Sequence, residues 1–178
     1  MKKIFYSLRL ENICDEVIET LIYTKILNPQ FNFDSNEYFK TFFIEANFDM
    51  SDIEKSLDII CSKREEIKSI LKKYEIPLSL SYVRKIFKTI EDRESHYLVC
   101  LLAVLVYRVL EKKLDNEYKY KELSSTLKGM ELQIQKEKVA YLPNYIRTKL
   151  TDALHEKFGF RTDYEILEYS YLKGLFTF

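Results

Sequence analysis

A mainly α-helical fold, a bundle packed around one buried central helix at about residues 96–114, is what this sequence predicts. Three observations carry that reading. Every residue from Tyr97 to Tyr107 is apolar or aromatic, and a helix that is apolar on all sides is buried. Gly and Pro occur only three times each in 178 residues, too few for the turns that a sheet-rich fold needs roughly every 8–12 residues. Apolar residues recur at helical spacing through most of the remaining chain.

The elements follow in order. Leu10, Ile13, Val17, Leu21 and Ile22 line one face of a helix over 10–27, which ends at Asn28-Pro29 because the residue before proline is pushed out of the α region. Residues 32–36 form a turn whose Asp34 or Ser35 caps a short aromatic helix over Tyr38, Phe39, Phe42 and Phe43. Ser51 and Glu54 have capping-box spacing. They open a long amphipathic helix carrying Ile53, Leu57, Ile60, Ile67 and Leu71, which Glu75-Ile76-Pro77 stops.

A basic amphipathic helix over 79–94 leads into the central one. The apolar stretch Tyr97–Tyr107 would span only ~16 Å, far below the ~30 Å of a bilayer core, so it belongs to a protein interior. Lys112 and Lys113 follow it, where cations suit a helix C-terminus. Leu114-Asp115-Asn116 is a turn, and a helix over 118–130 ends near Gly129. Residues 133–142 alternate weakly, as a short strand or hairpin arm does, and Pro143-Asn144 breaks them. Leu150, Ala153, Leu154 and Phe158 share one face of a helix over 148–158 that Gly159 closes, and 163–173 forms a last helix or turn.

Net charge is zero but unevenly spread, −5 over residues 1–60 and +5 over the rest. A basic remainder suits a polyanion, and solvated helix faces account for it equally well. Cys14, Cys61 and Cys100 are far apart with no CxxC pair, which indicates neither a zinc site nor a disulfide framework and fits a reducing compartment. Arg9, Glu11 and Asp15 interrupt any apolar signal core after the first five residues. A cytoplasmic protein with no membrane partner is expected.

Two stretches resemble one family. Residues 94–118, ESHYLVCLLAVLVYRVLEKKLDNEY, and 141–167, YLPNYIRTKLTDALHEKFGFRTDYEIL, closely resemble the C-terminal part of bacterial insertion-sequence DDE transposases of the Tyr-Arg-Glu-Lys signature branch, in the ribonuclease-H-like superfamily. Residues 4–29, IFYSLRLENICDEVIETLIYTKILNP, with FDMSDIEKSLDII after them, are similar to the helical region that precedes the catalytic core there. The resemblance divides the chain into a pre-core region, 1–76, and a post-core region, 77–178.

The same resemblance exposes a gap. Intact members hold a sheet bearing two aspartates, with a glutamate on a later helix, because two metals must be clamped on the reacting phosphate; Mg²⁺ is the ion they would use. Here the matching parts join almost directly, between Ile67 and Thr89. The signature spacing counted from Tyr82 puts Lys85 where Arg is needed and Thr89 where Glu is needed. Glu91, Asp92 and Glu94 read as a solvated helix start that suits the N-terminal dipole. No catalytic residue, metal ligand or cofactor is therefore expected.

Other chemistry is thin. His155-Glu156 lacks the second histidine of a zincin motif, since position 159 is Gly; His155 reads as an ordinary helix residue and His96 as a packing residue. Cys100 reads as a small core hydrophobe. The DNA-binding candidates are Lys68, Lys72, Lys73, Arg84, Lys85 and Lys88, whose phosphate contacts would be salt-dependent and sequence-blind. The expected function is thus that of a truncated, inactive transposase. The alternatives are a helical module that binds element-end DNA or pairs with full-length transposase, and a small membrane-associated protein; self-association through apolar faces is a further expectation.

Overall fold

The structure is a computed structural model and describes residues 1–31, 48–87, 90, 93–135, 140–163 and 166–176. The expected aromatic helix over 38–43 lies outside the described residues. The fold is mainly helical, with the helices of the N-terminal part packed around the central one, and it includes a small antiparallel sheet. The chain divides into two compact units, Lys3–Leu110 and Glu111–Phe178.

In the first unit, α1 (Lys2–Ser7) and a 3-10 turn (Leu10–Asn12) precede α2 (Glu16–Leu27). The helix expected from residue 10 thus starts later. Arg9 is left-handed (φ 57°), and Asp15 supplies the N-cap, its Oδ1 accepting the Ile18 amide at 2.9 Å. Asp15 Oδ2 also accepts the Ser56 hydroxyl at 2.6 Å, so one carboxylate caps α2 and ties it to α3 (Met50–Ser62).

The box that opens α3 is set two residues earlier than expected. Asp49 and Asp52 make the reciprocal bonds. Glu54 is left to take a bidentate grip from Arg93, 3.0 Å to each guanidinium nitrogen. The long helix expected from 51 is two helices: Lys63 (φ −91°, ψ 9°) separates α3 from α4 (Arg64–Lys73). The apolar stripe still crosses the break, since Ile53, Leu57, Ile60, Ile67 and Leu71 are all buried.

After Glu75 in the left-handed region (φ 56°), Ser79 caps α5 (Leu80–Ile86). That helix is shorter than expected because Phe87 is extended and fully buried, with the buried Lys25 ammonium 5.8 Å from its ring. Packing at Phe87 overrides the basic periodicity that would carry the helix onward.

The central helix is α6 (Glu94–Lys113). Every residue from Leu98 to Tyr107 is at most 2% exposed, so burial on all sides is observed as expected. Polar contacts gather at its rim. Arg64 pairs with Glu94 at 2.7 Å, Tyr97 donates its hydroxyl to the Leu78 carbonyl, and Arg108 donates to the Tyr82 hydroxyl at 2.9 Å. The half-exposed ion pairs are worth about 0–1 kcal/mol each, against about 1.5–3 kcal/mol for each fully buried aliphatic side chain. Apolar burial therefore holds α6 in place, and the rim contacts set its register. Among the described residues no helix is long and apolar enough to cross a membrane.

In the second unit, Asp115 and Asn116 turn the chain in left-handed conformations (φ 58° and 60°). The helix α7 (Tyr120–Gly129) keeps Gly129 as its last residue rather than as a left-handed stop; Met130 follows with negative φ. The hairpin arm is a real antiparallel pair, β1 (Leu132–Gln135) with β2 (Ala140–Pro143), in the register Leu132 to Pro143 and Gln135 to Ala140. A two-residue β3 (Leu167–Glu168) adds to β2. Between them, α8 (Lys149–Phe158) is capped by Thr148 and closed by Gly159 at φ 62°, where only glycine is unstrained. The last helix is α9 (Tyr169–Phe176).

Leu101 is 1% exposed within α6, so Leu101→Asp places an unpaired charge in the core and costs several kcal/mol. The expected outcome is loss of the cooperative thermal transition followed by circular dichroism. Ile59→Asp, at a position 55% exposed, retains it.

Candidate functional site

The expected DNA-contacting cations do not form one equivalent set. Lys68 is engaged by Glu65 at 2.7 Å. Lys88 lies outside the described residues. Lys72 and Lys73 occupy the last turn of α4, and Arg84 and Lys85 the last turn of α5, positions that the helix dipole alone favours for cations. Lys72, Arg84 and Lys85 are exposed, with no carboxylate partner among the described residues, and Lys73 lies 5.8 Å from the Tyr74 ring. Residues 74–79 join the two helices. Around that joint Tyr74, Leu78 and Leu80 are 38–45% exposed, so an aromatic ring and two leucines lie between the two cation pairs along the chain.

A second constellation lies in the other unit and was not singled out from the sequence. His155 is only 2% exposed. Its Nε2 lies 3.2 Å from both the Tyr145 and Thr162 hydroxyls, which are themselves 2.7 Å apart. Its Nδ1 is buried without a hydrogen-bond partner among the described residues and faces Asp163 Oδ1 at 3.8 Å. Burial lowers the affinity of this imidazole for a proton, against the opposing pull of Asp163.

Two arginines frame the cluster. Arg161 holds Asp163 in a fork, Nε to Oδ1 at 2.9 Å and Nη2 to Oδ2 at 2.8 Å, and this keeps the Asp163 carboxyl below its ordinary range. Arg147 donates to Asp152 at 2.5 Å and lies 3.7 Å from Asp163. Asp152 and His155 sit one turn apart on α8, which points both side chains to one face. Arg161, Thr162 and Asp163 come from the segment after Gly159, whose left-handed turn sends the chain back across α8. Arg147, Asp152, His155, Phe160, Arg161 and Tyr171 line an open cleft here.

The readable signal was density. Residues 145–163 hold Tyr145, Arg147, Asp152, His155, Arg161, Thr162 and Asp163, two Arg-Thr pairs bracketing an Asp–His helix face. Motif templates missed it because none has that spacing. Ligand atoms of Asp152, His155 and Asp163 lie within 4.8 Å of one another. No strand of the sheet carries an aspartate, and its one acidic residue is Glu168, among the described residues. No family model, curated protein or solved structure was found to match the chain.

The hydroxyl of Thr162 satisfies both Tyr145 and His155. Thr162→Val keeps the shape and removes those bonds, so a destabilisation of about 1–3 kcal/mol is expected, read as a lowered urea midpoint at unchanged slope.

Proposed function

We propose that this chain is a core-deleted protein of the insertion-sequence DDE transposase type, silent in strand transfer, that acts by binding. The observation that carries the reading is at the joint. The resemblance requires a strand-rich catalytic layer between Ile67 and Thr89. The described chain instead runs α4, a short connection and α5 there. Supporting it, segments that resemble the two sides of the missing layer, α1 to α4 and most of α6, belong to one compact unit. A chain rejoined in this way buries its apolar faces without the lost sheet.

The retained activity is contact with a polyanion, the DNA of element ends, through Lys72, Lys73, Arg84 and Lys85. The exposed Tyr74, next to Lys73, offers a stacking face. Such a protein would act in the cytoplasm, consistent with three cysteines that are not disulfide-bonded. Pairing with an intact transposase is the second outcome of the same reading, since the family resemblance supplies matching helical regions.

A gel shift with terminal-repeat DNA tests this. Four phosphate contacts give a salt slope of about −3.6, hence a loss of about two orders of magnitude in affinity between 50 and 200 mM salt. Reversing the four cations to Glu abolishes the shift. No shift, together with no association with a full-length relative, would remove the binding role. Mg²⁺- or Mn²⁺-dependent nicking that disappears in Glu94→Gln would remove the silent one.

A further inference from the structure

We propose that Asp152, His155 and Asp163 form a binding site for a divalent transition-metal ion of the zinc class, unrelated to the two-metal chemistry of intact transposases. Three acidic or imidazole side chains close together are common and prove little. The added observation is the buried imidazole: Nδ1 of His155 has no hydrogen-bond partner among the described residues, on a side chain that is 1% exposed, and it is aimed at Asp163 Oδ1.

The far side of the ring is arranged as a metal-bound histidine requires. Thr162 and Tyr145 hydroxyls lie 3.2 Å from Nε2 and can accept a hydrogen bond from its N–H. That tautomer leaves the Nδ1 lone pair facing a carboxylate oxygen, a repulsive pairing that a cation between them relieves. The spacing fits. Metal–ligand bonds of about 2.0–2.1 Å put tetrahedral ligand atoms about 3.3–3.4 Å apart, and the Nδ1–Oδ1 gap is 3.8 Å. One imidazole with two carboxylates suits Zn²⁺ or Co²⁺ better than Mg²⁺, which prefers an all-oxygen shell. The cleft leaves room for a water ligand.

The two arginines set the cost. Their charges already balance both carboxylates, so an entering ion displaces Arg147 from Asp152. That side chain is the most exposed of the ion-paired group, at 59%, and it can swing into solvent. Arg161 keeps Nη2 on Asp163 Oδ2, while its Nε, 2.9 Å from Oδ1, shares that oxygen with the ion. Affinity is therefore moderate, and removing Arg147 strengthens it. This last effect cannot be mimicked by a variant that fails to fold.

The experiment titrates Zn²⁺, Co²⁺ and Mg²⁺ separately into the untagged full chain, by calorimetry and, for Co²⁺, visible absorption. One equivalent of Zn²⁺ or Co²⁺ is expected, with no thiolate charge-transfer band and no response to Mg²⁺. Asp152→Asn and His155→Gln should each weaken binding at least about tenfold, and Arg147→Ala should tighten it about tenfold through loss of a like charge. Three outcomes overturn the proposal: no Zn²⁺ binding by wild type or Arg147→Ala at millimolar metal, binding unaltered by Asp152→Asn, or a thiolate band that places the ion on cysteine.

Discussion

A helix with no polar face must be covered on every side, and that requirement shapes the first unit. From Leu98 to Tyr107 nothing on α6 can be turned to water without exposing apolar surface. The chain meets the demand by packing other helices around it and by pushing charge to the two ends. Arg93 and Glu94 bind α3 and α4 where α6 begins, and Arg108 binds Tyr82 of α5 where its apolar stretch ends. These polar links are individually weak, yet each is geometrically specific, so they select one arrangement among those that burial alone would allow.

Each unit also buries an imidazole, His96 in the first and His155 in the second, which is costly unless its polar atoms are met. At His155, Tyr145 and Thr162 meet one nitrogen, and the Arg161–Asp163 fork stands at the opposite edge without closing on the other. The residues proposed to contact nucleic acid belong to the first unit, and those proposed to take an ion belong to the second.

Legibility varied with how local the cause was. The bounds of α6, the Thr148 and Gly159 ends of α8, the turn at Asp115-Asn116 and the hairpin at β1 and β2 follow from residues within a few positions of each other. The errors arose where a distant partner chose between local options. Ser51/Glu54 and Asp49/Asp52 offer similar boxes, and Arg93 claims Glu54 from 39 positions away. Asp15 starts α2 while also holding Ser56 of α3. Phe87 ends α5 by entering the core. The His155 cluster escaped notice because its members come from a loop, a helix face and a return segment, with no spacing that a motif would encode.

By itself the sequence determined that this is a helical protein organised on one fully buried helix, because hydrophobic periodicity and scarce turn residues act through neighbours in the chain. The proposal of transposase-like flanks around a missing core rests on the sequence alone, and no family model, curated protein or solved structure was found to match it. Only the tertiary structure decided which carboxylate caps which helix, where the long helix breaks at Lys63, and that an apparently ordinary histidine sits buried with one nitrogen facing an aspartate. Those outcomes depend on side chains brought together from far along the chain, where burial and Coulomb energies, rather than local backbone preference, settle the choice.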